Sequence, residues 1–185
     1  THAQRRPIFP WPCPPPWAYN THMRIGVISD THVPGAASRL PERVFRMLEG
    51  VDCILHAGDC VSERVLDELS GLAPVYAVAG NMDHALGHLP VKREFEWEGV
   101  RLGMIHGSGF PRDALLRLLP AQFERVRVII YGHTHEPFWG EYRGVWFMNP
   151  GSPTDRRFAP YPSLGILTLR DGHLQGRLWR LEPTP

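Results

Sequence analysis

Seven side chains of types that bind metal ions stand close after short apolar runs of this sequence. They are carboxylates, an amide and imidazoles, at Asp30, His32, Asp59, Asn81, His106, His133 and His135. This mixture of oxygen and nitrogen ligands, without a thiolate, favours Mn, Fe, Zn, Ni or Co over copper(I) or an iron–sulfur cluster. The pattern therefore predicts a transition-metal site.

This set of candidates is too large for one tetrahedral ion, but it suits two ions that share a bridging carboxylate. Two such ions, about 3.5–4 Å apart, can bind an oxyanion and acidify a water held between them. Phosphate esters match this chemistry, because their hydrolysis needs a hydroxide nucleophile and neutralisation of charge on the equatorial oxygens.

The spacing of the candidates predicts how their side chains point. Within residues 30–32 and 133–135 the ligand types are two positions apart, so on extended chain they would point to the same side. Glycines stand directly before three of the candidates, at Gly58, Gly80 and Gly132. At these positions the chain is expected to turn sharply and approach other backbone closely.

The elements before the candidates follow an alternating pattern. Apolar runs that read as strands alternate with helical patterns over residues 24–29, 38–48, 52–56, 62–69 and 74–79. The order β-α-β-α-β predicts parallel strands joined by helical crossovers, with Ser62 as a helix N-cap. Because ligands bind at the carboxyl ends of such strands, the candidates are expected to converge there.

The second half of the chain is richer in hairpin signals. Strands are predicted at 93–97, 100–105, 126–131, 145–148, 163–169 and 174–181, with a helix at 112–119. Asp171-Gly172 would join the last two strands as a hairpin. The residues thus predict a parallel layer and a hairpin-rich layer packed together, with helices outside.

Composition excludes several classes of protein. The 185 residues suggest one domain, and 20 basic against 19 acidic residues give a net charge of +1. Neither a nucleic-acid nor a membrane partner is expected from that balance, and no apolar run approaches the ~20 residues of a membrane span. Two cysteines after residue 22 are too few for a disulfide framework, which favours a reducing, cytoplasmic location.

The first 22 residues differ from the rest. Six of the 19 prolines fall within residues 1–16, which favours an extended polyproline II path. Met23 then opens the first strand. We interpret residues 1–22 as an upstream or cloning-derived extension and residues 23–185 as a single domain; the alternative is a proline-rich ligand for an aromatic-groove domain.

The ordered series Asp-x-His, Gly-Asp, Gly-Asn, His-Gly and Gly-His-x-His resembles the calcineurin-like metallophosphoesterase superfamily. The short chain and the Asn-Pro-Gly-Ser sequence at 149–152 resemble its small YfcE-type phosphodiesterase branch. The resemblance spans residues 23 to about 181. It implies an α/β fold, a four-layer sandwich of two mixed β-sheets flanked by helices.

The resemblance also implies roles for the seven residues. The first metal would be held by Asp30, His32 and His135, the second by Asn81, His106 and His133, and Asp59 would bridge them. The implied protein is a metal-dependent phosphoric ester hydrolase with two divalent ions, Mn favoured among Mn, Fe, Ni, Zn and Co. Its nucleophile would be a metal-bridging hydroxide, and a phosphodiester is a more suitable substrate than a monoester.

Two positions depart from the family pattern. Met82 stands where many members have a general-acid histidine, and Ser108 stands where related members have a second histidine. The loop residue His84 is a candidate replacement acid, as is its neighbour His88. Asp83 either assists catalysis by orienting a neighbouring histidine or caps the loop.

Several other residues could serve either function or structure. Arg156 and Arg157 either bind substrate phosphate or lie on a solvated loop. His56 is interpreted as a hydrogen-bonded core residue. The aromatic residues at 138–139 and 146–147 form either a platform for a nucleobase or part of the core.

Three functions remain open from the sequence. The first is a phosphodiesterase acting on a small phosphate ester. The second is a non-catalytic scaffold, like the retromer subunit of this fold. The third is a nucleoside polyphosphate hydrolase of the diadenosine tetraphosphate type. A homo-oligomer is compatible with all three.

Overall fold

The computed structural model describes residues 22–181. The proline-rich extension lies almost wholly outside that range, so its interpretation stays a prediction. The ten strands are β1 (Met23–Ile28), β2 (Cys53–His56), β3 (Val75–Ala77), β4 (Lys92–Trp97), β5 (Val100–Ile105), β6 (Val128–Ile130), β7 (Phe138–Tyr142), β8 (Val145–Asn149), β9 (Ser163–Arg170) and β10 (His173–Arg180). The α-helices are α1 (Glu42–Leu48), α2 (Glu63–Ser70) and α3 (Leu115–Leu118), and 3₁₀ turns at Arg112–Ala114 and Leu119–Gln122 flank α3.

The strands form two five-stranded sheets, both mixed. The first has the order β10-β9-β1-β2-β3, and β1, β2 and β3 are parallel as the alternating pattern predicts. The second has the order β4-β5-β6-β8-β7, with β5, β6 and β8 parallel and a hairpin at each edge.

The expectation of one parallel and one hairpin-rich layer is therefore wrong in its division of the strands. The β9–β10 hairpin joins the first sheet, because β9 runs antiparallel to β1 and pairs Met23 with Leu169 through Val27 with Gly165. The mixed sheets implied by the family resemblance are confirmed. Strand β7 was missed, because the half-buried Phe-Trp-Gly-Glu-Tyr run shows no clean alternation.

Alternation along the strands assigns side chains to three cores. Ile25 and Val27 of β1 and Val128 and Ile130 of β6 face each other in the core between the sheets. The opposite face of the first sheet packs against α1 and α2, and that of the second packs against α3. The four layers are therefore helices, first sheet, second sheet and helix.

The helix boundaries follow from local chemistry. Helix α1 begins at Glu42 rather than at residue 38, because Pro41 precedes it in an extended conformation with ψ of 139°. The predicted cap of α2 is confirmed, since the Ser62 hydroxyl accepts a hydrogen bond from the Arg64 amide at 3.3 Å.

The aromatic platform is not formed by the tryptophans. Trp139 and Trp146 stack with ring centroids 4.7 Å apart and pack against the core between the sheets. Phe147 is fully buried in the core under α3. Core packing is therefore the role of these three rings.

Candidate metal centre

The loops that leave β1, β2, β5 and β6 bring five of the predicted ligands together below the surface. Asp30, His32, Asp59, His106 and His135 are all buried. Their oxygen and nitrogen atoms form two overlapping groups whose members lie within 4.8 Å of one another. One group contains Asp30, His32 and His135, and the other contains Asp30, Asp59 and His106.

Distances within the groups place the carboxylates of both Asp30 and Asp59 near both histidine sets, and Asp30 Oδ1 also lies 3.9 Å from His106 Nε2. Asp30 Oδ1 lies 3.4 Å from His135 Nε2 and 3.9 Å from His32 Nε2. Asp59 Oδ2 lies 3.3 Å from His106 Nε2 and 3.6 Å from His32 Nε2. A carboxylate with an oxygen near both sets is suited to bridge two cations. Both aspartates meet this condition, and Asp30 is the one that belongs to both groups of converging atoms.

The histidine nitrogens facing this centre fit metal ions. Nε2 of His32, His106 and His135 is buried and has no hydrogen-bond partner. Nδ1 of His106 donates to the Ala57 carbonyl at 2.7 Å, and Nδ1 of His135 donates to the Asp155 carbonyl. A neutral ring that donates through Nδ1 presents its Nε2 lone pair, and this arrangement is typical of metal-ligating histidines.

The other two predicted ligands, His133 and Asn81, are less buried than these five. His133 is half-buried, its ring meets that of His106 edge-on with centroids 5.3 Å apart, and its amide donates to Asp30 Oδ2 at 3.0 Å. Asn81 is exposed and is followed by Met82, whose amide donates to Asp59 Oδ1 at 2.7 Å.

The local backbone differs from the extended chain predicted for the two spaced pairs. Asp30, His32, His133 and His135 have φ of 53°, 43°, 67° and 61°, and Asp59 has φ of 56°. The chain is thus in the left-handed region after each strand ends, which L-residues with side chains rarely adopt. The side chains converge after the strand ends, as expected, but the prediction that each spaced pair points to one side on extended chain was wrong, because the loops turn there.

The three glycines fulfil the predicted close approach. A Cβ on Gly58 would lie 2.7 Å from Nδ1 of His106, one on Gly80 would lie 2.1 Å from Oδ1 of Asp59, and one on Gly132 would lie 2.7 Å from Oδ2 of Asp30. Each glycine therefore makes room for a ligand that comes from another loop.

Several hydroxyl and amide groups hold the ligand loops, and the sequence analysis assigned them no role. Ser29 Oγ donates to Asp30 Oδ2 at 2.7 Å, and Ser152 Oγ donates to the Asp30 carbonyl at 2.7 Å. Asn149 Nδ2 donates to the Gly132 carbonyl at 3.0 Å. The only feature of the sequence that pointed to these supporting residues was the Asn-Pro-Gly-Ser sequence at 149–152, which contains Asn149 and Ser152.

The structural interpretation of His56 agrees with its contacts. Its Nδ1 accepts a hydrogen bond from the Gly58 amide at 3.3 Å, which leaves Nε2 to donate to Thr31 Oγ1 at 3.1 Å. Burial lowers the pKa of His56 to about 4. The neutral ring thus ties the loop after β2 to the loop after β1.

Burial and neighbouring charges set the protonation of the ligands. Burial raises the pKa of Asp30 to about 7. Burial also opposes ionisation of Asp59, but the neighbouring His106 and the Met82 amide lower the pKa of Asp59 to about 2. Burial lowers the pKa of His135 to about 4, which keeps this ring neutral and able to bind a cation.

The two candidate catalytic residues occupy different environments. The Asp83 carboxylate accepts hydrogen bonds from the amides of Asp59, Val61 and Gly80 at 2.7–2.8 Å, as expected for a loop cap. His84 is exposed, and among the described residues it is not in either group of converging ligand atoms.

The arginines also differ from one another. Arg156 donates to the Ala159 carbonyl at 3.1 Å, whereas Arg157 lies 3.4 Å from the carboxylate of Asp155. Burial is the main cause of the lowered pKa of His32, His133 and His135, and the positive charge of Arg157 lowers these pKa values further. Arg157 is therefore electrostatically coupled to the centre.

Residues 23–172 match the family model described as the calcineurin-like phosphoesterase superfamily domain. The chain belongs to this superfamily. A probable metallophosphoesterase of Methanothermobacter thermautotrophicus is 45% identical over 160 residues, which cover 85% of this chain and 92% of that protein. A second probable metallophosphoesterase, from Methanocaldococcus jannaschii, is 43% identical over 162 residues, which cover 86% of this chain and 82% of that protein.

Solved structures of the fold include proteins with different names. Vps29 of Entamoeba histolytica in complex with Zn²⁺ is 27% identical, with a TM-score of 0.67 over 86% of this chain and 100% of that one. An archaeal phosphodiesterase is 25% identical, with a TM-score of 0.66 over 85% of this chain and 100% of that one. Within residues 22–181, no helix is long and apolar enough to cross a membrane.

Proposed function

We propose that this member of the superfamily is a phosphodiesterase that requires two divalent transition-metal ions. The observation that carries the proposal is the set of unpartnered Nε2 atoms of His32, His106 and His135 around the carboxylates of Asp30 and Asp59. Buried polar atoms are normally hydrogen-bonded, so three orphaned imidazole nitrogens facing one point favour a missing cation.

In this proposal the seven residues divide as the family resemblance implies. Asp30, His32 and His135 would hold one ion, His106, His133 and Asn81 would hold the other, and Asp59 would be shared between them. Two such ions would supply positive charge to the phosphate oxygens and a hydroxide nucleophile at neutral pH. Mn is the favoured metal, with Fe, Ni, Zn and Co as alternatives, and the Zn²⁺ complex of Vps29 keeps Zn²⁺ prominent among them.

The chain's own side chains perform the remaining tasks. The Asp155 and Ala57 carbonyls accept from Nδ1 of His135 and His106, so that Nε2 of each ring faces the centre. Burial opposes protonation of His106, but the carboxylates of Asp59 and Asp30 raise its pKa, so an ion bound there would displace a proton from this ring. Arg157 would orient the phosphate, because a guanidinium matches its geometry. Met82 stands where many family members have the general-acid histidine, and Ser108 where related members have a second histidine. An ester with a phenolate leaving group, which needs no proton, should therefore react fastest.

The charge balance favours a small phosphate ester as substrate and gives no reason to expect nucleic acid. The free, buried Cys53 and Cys60 are compatible with a cytoplasmic location. A scaffold role remains the second candidate, and its support is the structural likeness to Vps29 together with the absent acid residues.

The test is hydrolysis of bis(p-nitrophenyl) phosphate and p-nitrophenyl phosphate after chelation and addition of Mn, Ni, Zn or Mg. We expect metal-dependent turnover that is faster for the diester. Asp59→Asn should reduce it by at least about 100-fold, because the bridging charge is lost while Oδ1 still accepts the Met82 amide.

The matched control is Asp67→Asn on the exposed side of α2, which should keep full activity. No turnover with any metal, together with no metal retained after dialysis, would overturn the enzymatic proposal and favour a scaffold. Metal retention without turnover would likewise favour a scaffold with a metal site.

A further inference from the structure

A cleft of about 470 Å³ opens beside the loop that carries His133 and His135. It lies between that loop, helix α3 and strand β7. Residues of these three elements line it, including Arg112, Leu116, Arg117, Glu136, Phe138 and Tyr142. Its volume falls within the roughly 300–1,000 Å³ of small-molecule sites.

The cleft adjoins the metal centre through Thr134. This residue stands between the two ligand histidines and also lines the cleft. Arg112 Nη2 donates to the Thr134 carbonyl at 3.3 Å.

The charges of the cleft compensate one another. Arg112 pairs with Glu136 at 2.7 Å, and Asp113 stands in the lining with Arg117. Two guanidinium groups and two carboxylates leave no net charge. A second phosphate group would meet two carboxylates as well as two guanidinium groups here, so the cleft does not favour a polyphosphate.

The remaining walls suit a flat organic group. Phe138 and Tyr142 supply aromatic surface, and Leu115 and Leu116 supply aliphatic surface. Aromatic side chains stack on the faces of other rings, and a few polar groups at the rim can hydrogen-bond a heterocycle.

We infer that this cleft binds an uncharged aromatic ester group of nucleoside size, so that the preferred substrate is a phosphate diester carrying one such group. The phosphorus would lie at the metal centre and the nucleoside beside Thr134. This inference rests on the proposed phosphodiesterase function and distinguishes it from nucleoside polyphosphate hydrolysis.

The test compares two diesters with the same leaving group, thymidine 5′-(p-nitrophenyl phosphate) and methyl p-nitrophenyl phosphate. The ratio of their kcat/KM values measures the preference for the nucleoside. Tyr142→Ala removes aromatic surface, and Leu116→Trp fills part of the cleft. We expect each to lower the ratio at least about fivefold, which corresponds to about 1 kcal/mol.

Matched controls lie outside the cleft. Tyr161→Ala removes a tyrosine that contacts Arg180 as Tyr142 contacts Arg143, and Arg64→Ala removes an exposed guanidinium paired with Glu68 at 2.7 Å. Both should leave the ratio unchanged. A ratio that stays constant in both cleft variants would overturn the inference.

Failure of the proposed function has a different signature. In that case the wild-type protein hydrolyses neither diester with any metal, and the cleft is tested by titration calorimetry with thymidine 5′-phosphate. Weaker binding to Tyr142→Ala and Leu116→Trp than to the controls would support the cleft as a nucleoside site. Equal binding to all variants, or no binding to the wild type, would overturn it.

Discussion

The buried His56 ring makes the stability of the fold depend on pH. The ring accepts a hydrogen bond from the Gly58 amide and donates one to Thr31, and the accepted bond requires a neutral ring. Its pKa falls from 6.5 to about 4 on folding, chiefly because of burial. Between these values the unfolded chain binds more protons, so this contribution to stability is complete above pH 6.5 and is lost as the pH falls toward 4.

The size of the effect follows from the two pKa values. The full shift of about 2.5 pH units corresponds to roughly 3 kcal/mol, at about 1.4 kcal/mol per unit. At pH 5 about 2 kcal/mol is already lost, whereas at pH 7.5 the loss is below about 0.1 kcal/mol. His56→Asn removes the titration, and its Oδ1 can still accept the Gly58 amide.

The assay is urea unfolding of the metal-free wild type and the variant at pH 7.5 and pH 5, in chelator. At pH 7.5 we expect the variant to be less stable, because a buried hydrogen bond and packing are lost. At pH 5 that deficit should shrink by about 2 kcal/mol, since only the wild type has a ring to protonate. His173→Asn at an exposed position is the control and should leave the pH dependence unchanged. A deficit of the same size at both pH values would refute the reasoning.

Three further changes test the loops around the centre. Asp83→Asn should lower the free energy of unfolding by about 1–3 kcal/mol, because three amides lose a charged acceptor. The exposed control Asp67→Asn should lower it by less than about 0.5 kcal/mol. Equal losses for the two variants in urea unfolding would contradict the role of Asp83 as a loop cap. Gly132→Ala should abolish metal retention measured by elemental analysis, since the new Cβ would lie 2.0 Å from Ser29 Oγ. The control Gly87→Ala should retain metal, because a Cβ at that position has no atom within 4 Å. Arg157→Gln should raise KM for phosphate diesters about tenfold, as expected for a lost hydrogen bond to a charged group. The control Arg156→Gln should change KM little. Indistinguishable KM values for the two variants would show that Arg157 does not bind the substrate.

Much of the fold could be predicted because its signals are local. The Ser62 cap, the parallel order of β1, β2 and β3 and the Asp171-Gly172 hairpin each depend on a few neighbouring residues. Strand β7 escaped prediction because its pairing with β8, rather than its own pattern, makes it a strand.

The site divides in the same way. Residue types and their order after strands were enough to select Asp30, His32, Asp59, His106 and His135, which the structure brings together. The contacts that support them could not be predicted, because partners such as Ser152 and Asp30 are separated by 122 residues. The cleft beside Arg112 likewise depends on α3 packing near the 133–135 loop, which no local pattern encodes.

The left-handed backbone at the ligands limits how this centre could be transplanted. Copying Asp-x-His and His-x-His into the strand or helix of another protein would reproduce the residue types and the spacing. It would not reproduce the φ values of 43–67° that turn these side chains toward one point. A functional graft would therefore have to carry the loops with their three glycines and the surrounding hydroxyl groups, so that the transferable unit is the backbone path rather than the motif.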